Sequence, residues 1–160
     1  KNAEKRLATF FAPRLKRGKL FMNPSDAKVW INYSESDLRA ANTLLKSKEF
    51  FPLQVCFLSQ QCAEKAVKAI LIFEEVNFPK IHDLDRLRDL IPKGWKVKEQ
   101  FPDLAELTIW AVESRYPGDI PDVTEHEARE TLYLAKAVFN AVSAELEERF
   151  RQNKQQDSER

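Results

Sequence analysis

The strongest constraint on the fold is the segment 53–75, which contains neither proline nor glycine and whose apolar residues cover most of a helical circumference. This pattern predicts the central helix of a bundle. The rest of the chain has the same bias: it has three glycines, and its Val, Ile and Thr residues are scattered among Ala, Leu, Glu, Lys and Arg, which favour helix. With 160 residues, 43% of them hydrophobic, the chain can bury one core. The sequence therefore predicts a single all-α domain.

Caps and breaks divide the chain into about five predicted helices, four long and one short. Asn23 is the expected N-cap of the first helix, with Pro24 at the first helical position, and Thr124 with Glu127 forms a capping box for the last. The helices are predicted over residues 24–47, 53–75, 84–91, 102–114 and 125–150. Because the connections are short, we expect an antiparallel, up-and-down helical bundle over residues 23–150.

Two polar segments flank this bundle. Residues 1–22 form a basic N-terminal extension in which Pro13 and Gly18 prevent a long helix. It is either a partly ordered extension or a basic arm that grips a protein partner or nucleic acid. Residues 151–160 form a polar, charged C-terminal tail that is expected to fray.

Charge and cysteine content limit the function classes. The chain has 26 basic and 25 acidic residues, so nucleic-acid or membrane binding needs a local patch instead of a global field. Cys56 and Cys62 lie on different faces of one predicted helix, which disfavours a disulfide, and we expect no metal and no cofactor. No apolar run approaches the ~20 residues of a membrane span, so we expect a cytoplasmic protein that does not bind membranes.

The first predicted helix carries a carboxylate close to its buried stripe. The expected stripe is Trp30, Tyr33, Leu38, Ala41, Leu44 and Leu45. Asp37 lies beside it and requires a cation. Arg115 is one candidate, either as a structural partner of Asp37 or as a guanidinium that binds phosphate, with Tyr116 as an aromatic wall.

A second group of polar residues has two interpretations. Gln61, Lys65 and Lys68 either belong to a solvated face, where Glu64 and Lys68 form an exposed pair, or form the basic wall of a phosphate site. His82 either caps the short helix or satisfies a carbonyl, or it contacts a ligand. His126, in the first turn of the last helix, is expected to face solvent.

Several of these segments resemble one family in the same order along the chain. Residues 56–69, Cys-Phe-Leu-Ser-Gln-Gln-Cys-Ala-Glu-Lys-Ala-Val-Lys-Ala, closely resemble the pattern C-F-x-x-Q-Q-A-A-E-K-A-L-K-A of small prokaryotic HEPN proteins. Trp30, Asp37-Leu38 and Ala41 are similar to its first helix. Residues 81–84, Ile-His-Asp-Leu, resemble its T-H-D-L element, and residues 114–117 its S-R-Y-P loop. The resemblance covers roughly residues 25–150.

The resemblance implies a five-helix bundle that usually forms a homodimer and is often partnered with a small nucleotidyltransferase encoded nearby. A similar domain at the end of the large chaperone sacsin is linked to nucleotide binding. Some branches are ribonuclease toxins of toxin–antitoxin systems with an R-x4-6-H motif, whereas here ten residues separate Arg115 from His126. The leading interpretation is therefore a non-catalytic module that binds a nucleotide, another polyanionic ligand or a nucleotidyltransferase. The alternatives are a ribonuclease toxin that uses Arg115 and His126 across a dimer, and a pure protein-interaction scaffold.

Overall fold

The computed structural model describes residues 14–16, 19–21, 23–47, 51–113 and 122–159. Within these ranges the chain forms two three-residue strands, which pair antiparallel, and seven helices. The strands are β1 (Arg14–Lys16) and β2 (Lys19–Phe21), and the helices are α1 (Asp26–Leu45), α2 (Pro52–Phe73), α3 (Leu84–Asp89), α4 (Lys96–Gln100), α5 (Ala105–Thr108), α6 (Trp110–Glu113) and α7 (Glu125–Ser158). The prediction of an all-α class is confirmed.

α1 and α2 pack against each other in opposite directions. Ala27, near the start of α1, belongs to the same buried cluster as Ile70, near the end of α2. Leu38, later in α1, packs in a second cluster with Val55, near the start of α2. This crossed pairing of helix ends makes the two helices antiparallel.

Small residues line the contact face of α2. The small residues Cys56, Ser59, Ala63 and Ala66 lie along one face of α2 and are buried, as is Ile70 beyond them. Ser34 of α1 is also buried, and its hydroxyl donates a hydrogen bond to the Cys62 carbonyl at 2.7 Å. Because small side chains keep the helices close, a side chain of α1 can reach the backbone of α2.

α7 runs parallel to α2 and antiparallel to α1. Thr131, near the start of α7, lies with its hydroxyl 3.7 Å from the Cys56 thiol. Near the other end, the rings of Phe150 and Phe73 meet edge to face at a centroid distance of 4.8 Å. Lys28, in the first turn of α1, lies over the Phe150 ring at 4.6 Å. The segment between α2 and α7 therefore returns the chain to the opposite end of the bundle.

The last part of this return segment differs from the prediction of a single long helix over residues 102–114. Here the structure has two short helices, α5 and α6, with a turn at Ile109 between them, and the first of them begins at Ala105. The Asp103 carboxylate accepts a hydrogen bond from the Ala105 amide at 2.9 Å, and the Pro102 carbonyl accepts one from Arg88. These side chains satisfy backbone groups that a continuous helix would have paired internally.

Three details of the helical pattern also differ from expectation. α1 begins at Asp26 instead of directly after Asn23, whose amide donates to the Asp26 carboxylate at 2.9 Å. Tyr33, expected in the buried stripe, is 45% exposed, because the buried line passes through its neighbour Ser34. α7 continues to Ser158, through most of the tail that was expected to fray. The capping box of Thr124 and Glu127 is formed as predicted.

Candidate functional site

A buried carboxylate lies at the centre of the candidate site. Glu64 of α2 is 5% exposed. Its carboxylate accepts hydrogen bonds from Lys68 Nζ at 2.6 Å and Gln60 Nε2 at 2.8 Å, because positions four residues apart lie on one face of a helix. His82, which precedes α3, places Nδ1 3.0 Å from the same carboxylate. We call these residues, together with Gln61, the Glu64 cluster.

The Glu64 carboxylate carries its negative charge at neutral pH. Burial by itself raises the pKa of this carboxyl, but the hydrogen bonds from Lys68 and Gln60, the charge of Lys68 and the contact with His82 outweigh it, so the pKa lies below its ordinary value. An ionised carboxylate only accepts hydrogen bonds, so the proton between it and His82 is on Nδ1. The charges of Glu64 and Lys68 therefore compensate each other inside the cluster.

Glu64 and Lys68 form a buried pair, so the interpretation of a solvated face is wrong. Their side chains are 6% and 10% exposed. The connection after α2 folds back over this face, where Phe78 and Ile81 pack against the core. The Phe78 ring lies 5.8 Å from the Lys68 ammonium, and a ring face attracts a cation. The residue pattern of α2 alone does not predict that this connection covers the pair.

Two glutamines extend the cluster towards the surface. Gln60 is fully buried, and its Nε2 also lies 3.5 Å from the His82 carbonyl oxygen. Its Oε1 accepts a hydrogen bond from Gln61 Nε2 at 2.7 Å. Gln61 is half-buried. Gln60 was not among the predicted site residues, although its position one turn before Glu64 and two turns before Lys68 is a signal that could have identified it.

His82 forms the exposed edge of the cluster. Its side chain is 45% exposed, and it contacts Glu64 instead of capping α3. The cap is Asp83, whose Oδ1 accepts a hydrogen bond from the Arg86 amide at 3.0 Å. The imidazole is thus oriented by a buried carboxylate and reaches the protein surface.

A second ion pair joins α1 to α2 beside this cluster. Asp37 pairs with Lys65, and their side chains are 19% and 25% exposed. In the described residues Lys65 is thus the cation beside Asp37, a role for which the sequence suggested Arg115. Arg115 and Tyr116 lie outside the described residues, so their place beside Asp37 or a ligand stays a prediction. Of the predicted ligand-binding residues, the structure brings together Gln61, Lys68 and His82, with Lys65 in the neighbouring pair.

The second histidine and the two thiols offer little chemistry. His126 faces solvent as expected: its side chain is 78% exposed and its Nε2 lies 3.3 Å from the exposed Glu130 carboxylate. Burial raises the pKa of Cys56 to about 11 and that of Cys62 to about 12, so neither is a thiolate nucleophile at neutral pH. Within the described ranges, no three His, Cys, Asp or Glu side chains could together hold a metal ion, and no helix could cross a membrane.

Comparisons with known proteins identify a family, a curated relative and two similar structures. The family model described as HEPN domain matches residues 27–148. The protein named "Putative toxin MJ1304" from Methanocaldococcus jannaschii is 32% identical over 139 residues, which cover 78% of this chain and 90% of that protein. The structure of ST0689, described as an archaeal HEPN homologue, is 28% identical with a TM-score of 0.54 and covers 75% of this chain and 97% of its own. TT1696 from Thermus thermophilus shares the fold, with 24% identity, a TM-score of 0.62 and coverage of 74% and 97%.

Replacing Lys68 by Met keeps the aliphatic stem and removes the ammonium group. We expect K68M to lower the free energy of unfolding by about 3 kcal/mol, because Glu64 loses its compensating charge in a buried position. The matched variant K65M is expected to cost less than about 1 kcal/mol, because Asp37 and Lys65 are partly exposed. Urea denaturation followed by circular dichroism measures both values. Equal losses in the two variants would contradict this ranking.

Acid is expected to destabilise the protein through Glu64. The pKa of this carboxyl is lower in the folded chain than its ordinary value of 4.5, so its stabilising contribution is present above that value and is lost as the pH falls through the folded-state pKa. The thermal midpoint of E64Q should therefore decline less than that of the wild type between about pH 5 and about pH 3. The control E35Q, at an exposed position of α1, should keep the full decline. If the thermal midpoint of E64Q declines as much as that of the wild type, the lowered pKa of Glu64 in the folded chain is refuted.

Proposed function

Because this chain belongs to the HEPN domain family, we propose that it is a non-catalytic, homodimeric HEPN module that binds a nucleotide or another polyanionic ligand. The observation that carries the ligand-binding part is the geometry of the Glu64 cluster. The buried Glu64 carboxylate orients the imidazole of His82, which is 45% exposed, and also pairs with the buried Lys68 ammonium. A side chain that is already oriented loses little conformational freedom when a ligand binds.

In this proposal a phosphate group of the ligand lies against His82 and Gln61, at the exposed edge of the cluster. Arg115 supplies the positive charge that the cluster lacks, since Lys68 is compensated by Glu64. Tyr116 is the aromatic wall of the site. The sequence position of both residues supports this arrangement, because they come two and three positions after the end of α6, which packs against α2.

The non-catalytic part rests on the two histidines. His126 does not have the R-x4-6-H spacing to Arg115, and its only described partner is the exposed Glu130, which does not fix the ring. His82 is better oriented, but it precedes Arg115 in the chain and is bound to Glu64. The family resemblance further supports a nucleotidyltransferase as protein partner, and a reading frame for such an enzyme next to the gene would strengthen this part.

Isothermal titration against ATP, GTP and a short RNA tests the ligand-binding part. We expect heat of binding with ATP or GTP for the wild type, and an affinity at least about tenfold lower for H82A, the effect of losing roughly 1.4 kcal/mol of polar contacts. The control H126A should bind like the wild type, since that side chain is 78% exposed at a different element. The absence of heat with all three ligands would refute ligand binding and leave the scaffold interpretation.

A ribonuclease toxin is the second candidate, and the name of the M. jannaschii relative favours it. In this version the active site is assembled across a dimer, with His126 transferring a proton and Arg115 stabilising the charge on phosphorus. If the module is non-catalytic, the wild type leaves a labelled RNA intact. Cleavage that disappears in both R115A and H126A would support the toxin and contradict our proposal. Cleavage that persists in R115A would exclude this pair of residues.

A further inference from the structure

A cleft lies at the end of the bundle where α1 begins and α7 ends, in a different place from the Glu64 cluster. Its volume is about 200 Å³, and it is lined by Lys28, Glu147, Phe150, Arg151 and Lys154. We call it the basic cleft. Three of its five side chains are cations, contributed by two different helices, against one carboxylate.

Among the described residues, no ion pair compensates the cations of the basic cleft. In the part of the chain that the structure describes, Lys28, Arg151 and Lys154 form no ion pair, whereas the lysines of the candidate site do, with Glu64 and Asp37. The Arg151 guanidinium is positioned by its own helix, through a 3.3 Å hydrogen bond from Nε to the Glu147 carbonyl. All three cations are exposed, so their charge is available to a ligand.

The aromatic ring in the cleft is used to hold a cation and not to receive a base. The Lys28 ammonium lies 4.6 Å from the centre of the Phe150 ring, and the ring of Phe73 meets Phe150 at an interplanar angle of 81°. The cleft therefore offers positive charge without an open ring for stacking. Such a surface recognises the phosphate backbone and is indifferent to base sequence.

The cations of the basic cleft are spread over two helices. Lys28 lies in the first turn of α1, whereas Arg151 and Lys154 lie in the last two turns of α7. Because three cations from two elements converge on one cleft, the arrangement favours a polyanionic chain with several phosphates over a single phosphate group.

We propose that the basic cleft binds the phosphate backbone of a nucleic acid without sequence preference. Lys28, Arg151 and Lys154 contact the phosphates, and Glu147 limits the net charge of the cleft to +2, from three cations and one carboxylate. This binding is independent of the nucleotide site proposed beside His82. It also needs no global charge, because the whole chain has a net charge of only +1.

Fluorescence anisotropy with labelled RNA and DNA strands of about 20 nucleotides tests this proposal on the full chain. At about 50 mM salt, the variant K28E/R151E/K154E should bind at least tenfold more weakly than the wild type. Its plot of log affinity against log salt should be shallower by roughly 2, since each lost phosphate contact removes about 0.7. The control R39E/K93E/K136E changes the same number and types of exposed residue elsewhere, and should keep most of the affinity.

The outcomes distinguish binding at the basic cleft from binding elsewhere on the protein. Equal loss in the two triple variants would overturn the proposal, because net charge alone would then account for binding. Binding that is lost in H82A would assign it to the Glu64 cluster and likewise overturn the proposal. If the wild type binds vesicles of anionic phospholipid through these residues and does not bind nucleic acid, the ligand of the cleft is a membrane surface and the proposal is overturned. If the charge reversal unfolds the protein, K28Q/R151Q/K154Q provides the same comparison. Its affinity for the labelled strands should also be lower than that of the wild type.

Discussion

The buried charge of Glu64 is the constraint on which the polar contacts between α2 and the following connection depend. A carboxylate removed from water is tolerated only when hydrogen bonds and an opposite charge replace its hydration. α2 supplies two of these partners itself, Gln60 and Lys68, one turn before and one turn after Glu64. The third, His82, comes from the chain that returns across the bundle. The charge therefore ties the central helix to a connection that carries little regular structure.

The same connection organises the interrupted return segment. After His82, the Leu84 amide donates to the Thr108 hydroxyl at 3.0 Å, and the Asp85 carboxylate accepts from the Leu104 amide at 2.9 Å. Arg88 adds a contact to the Asp85 carboxylate at 2.6 Å. Side chains thus satisfy two backbone amides that lie at helix starts, where a helix provides no internal partner. This explains how the short helices in this region are joined, because side chains of one helix pair with the backbone at the start of another.

The helical class and two of the helix starts could be predicted from the sequence because local rules decide them. The capping box at Thr124 and the proline at the start of α2 act within one turn of helix, and both helix starts follow them. The candidate site depended on contacts between distant segments. Glu64 and Lys68 have the spacing of an exposed pair, and only the packing of Phe78 and His82 across them makes the pair buried. Burial of this kind depends on which distant segment packs over the pair, and no local sequence pattern predicts that.

The two polar regions of the bundle solve opposite electrostatic problems. At the Glu64 cluster, burial makes an unpaired charge costly, so each lysine has a carboxylate partner and the site has little attraction of its own for an anion. At the basic cleft, solvent lowers the cost of an unpaired cation, so Lys28 and Arg151 can remain uncompensated and attract an anion over a distance set by the salt concentration. In the proposed functions, the buried network would orient a ligand, whereas the exposed cleft would increase the rate at which a charged partner arrives. One small domain can hold both because the buried network and the exposed cleft lie in different places, on the middle of α2 and at the end of α7.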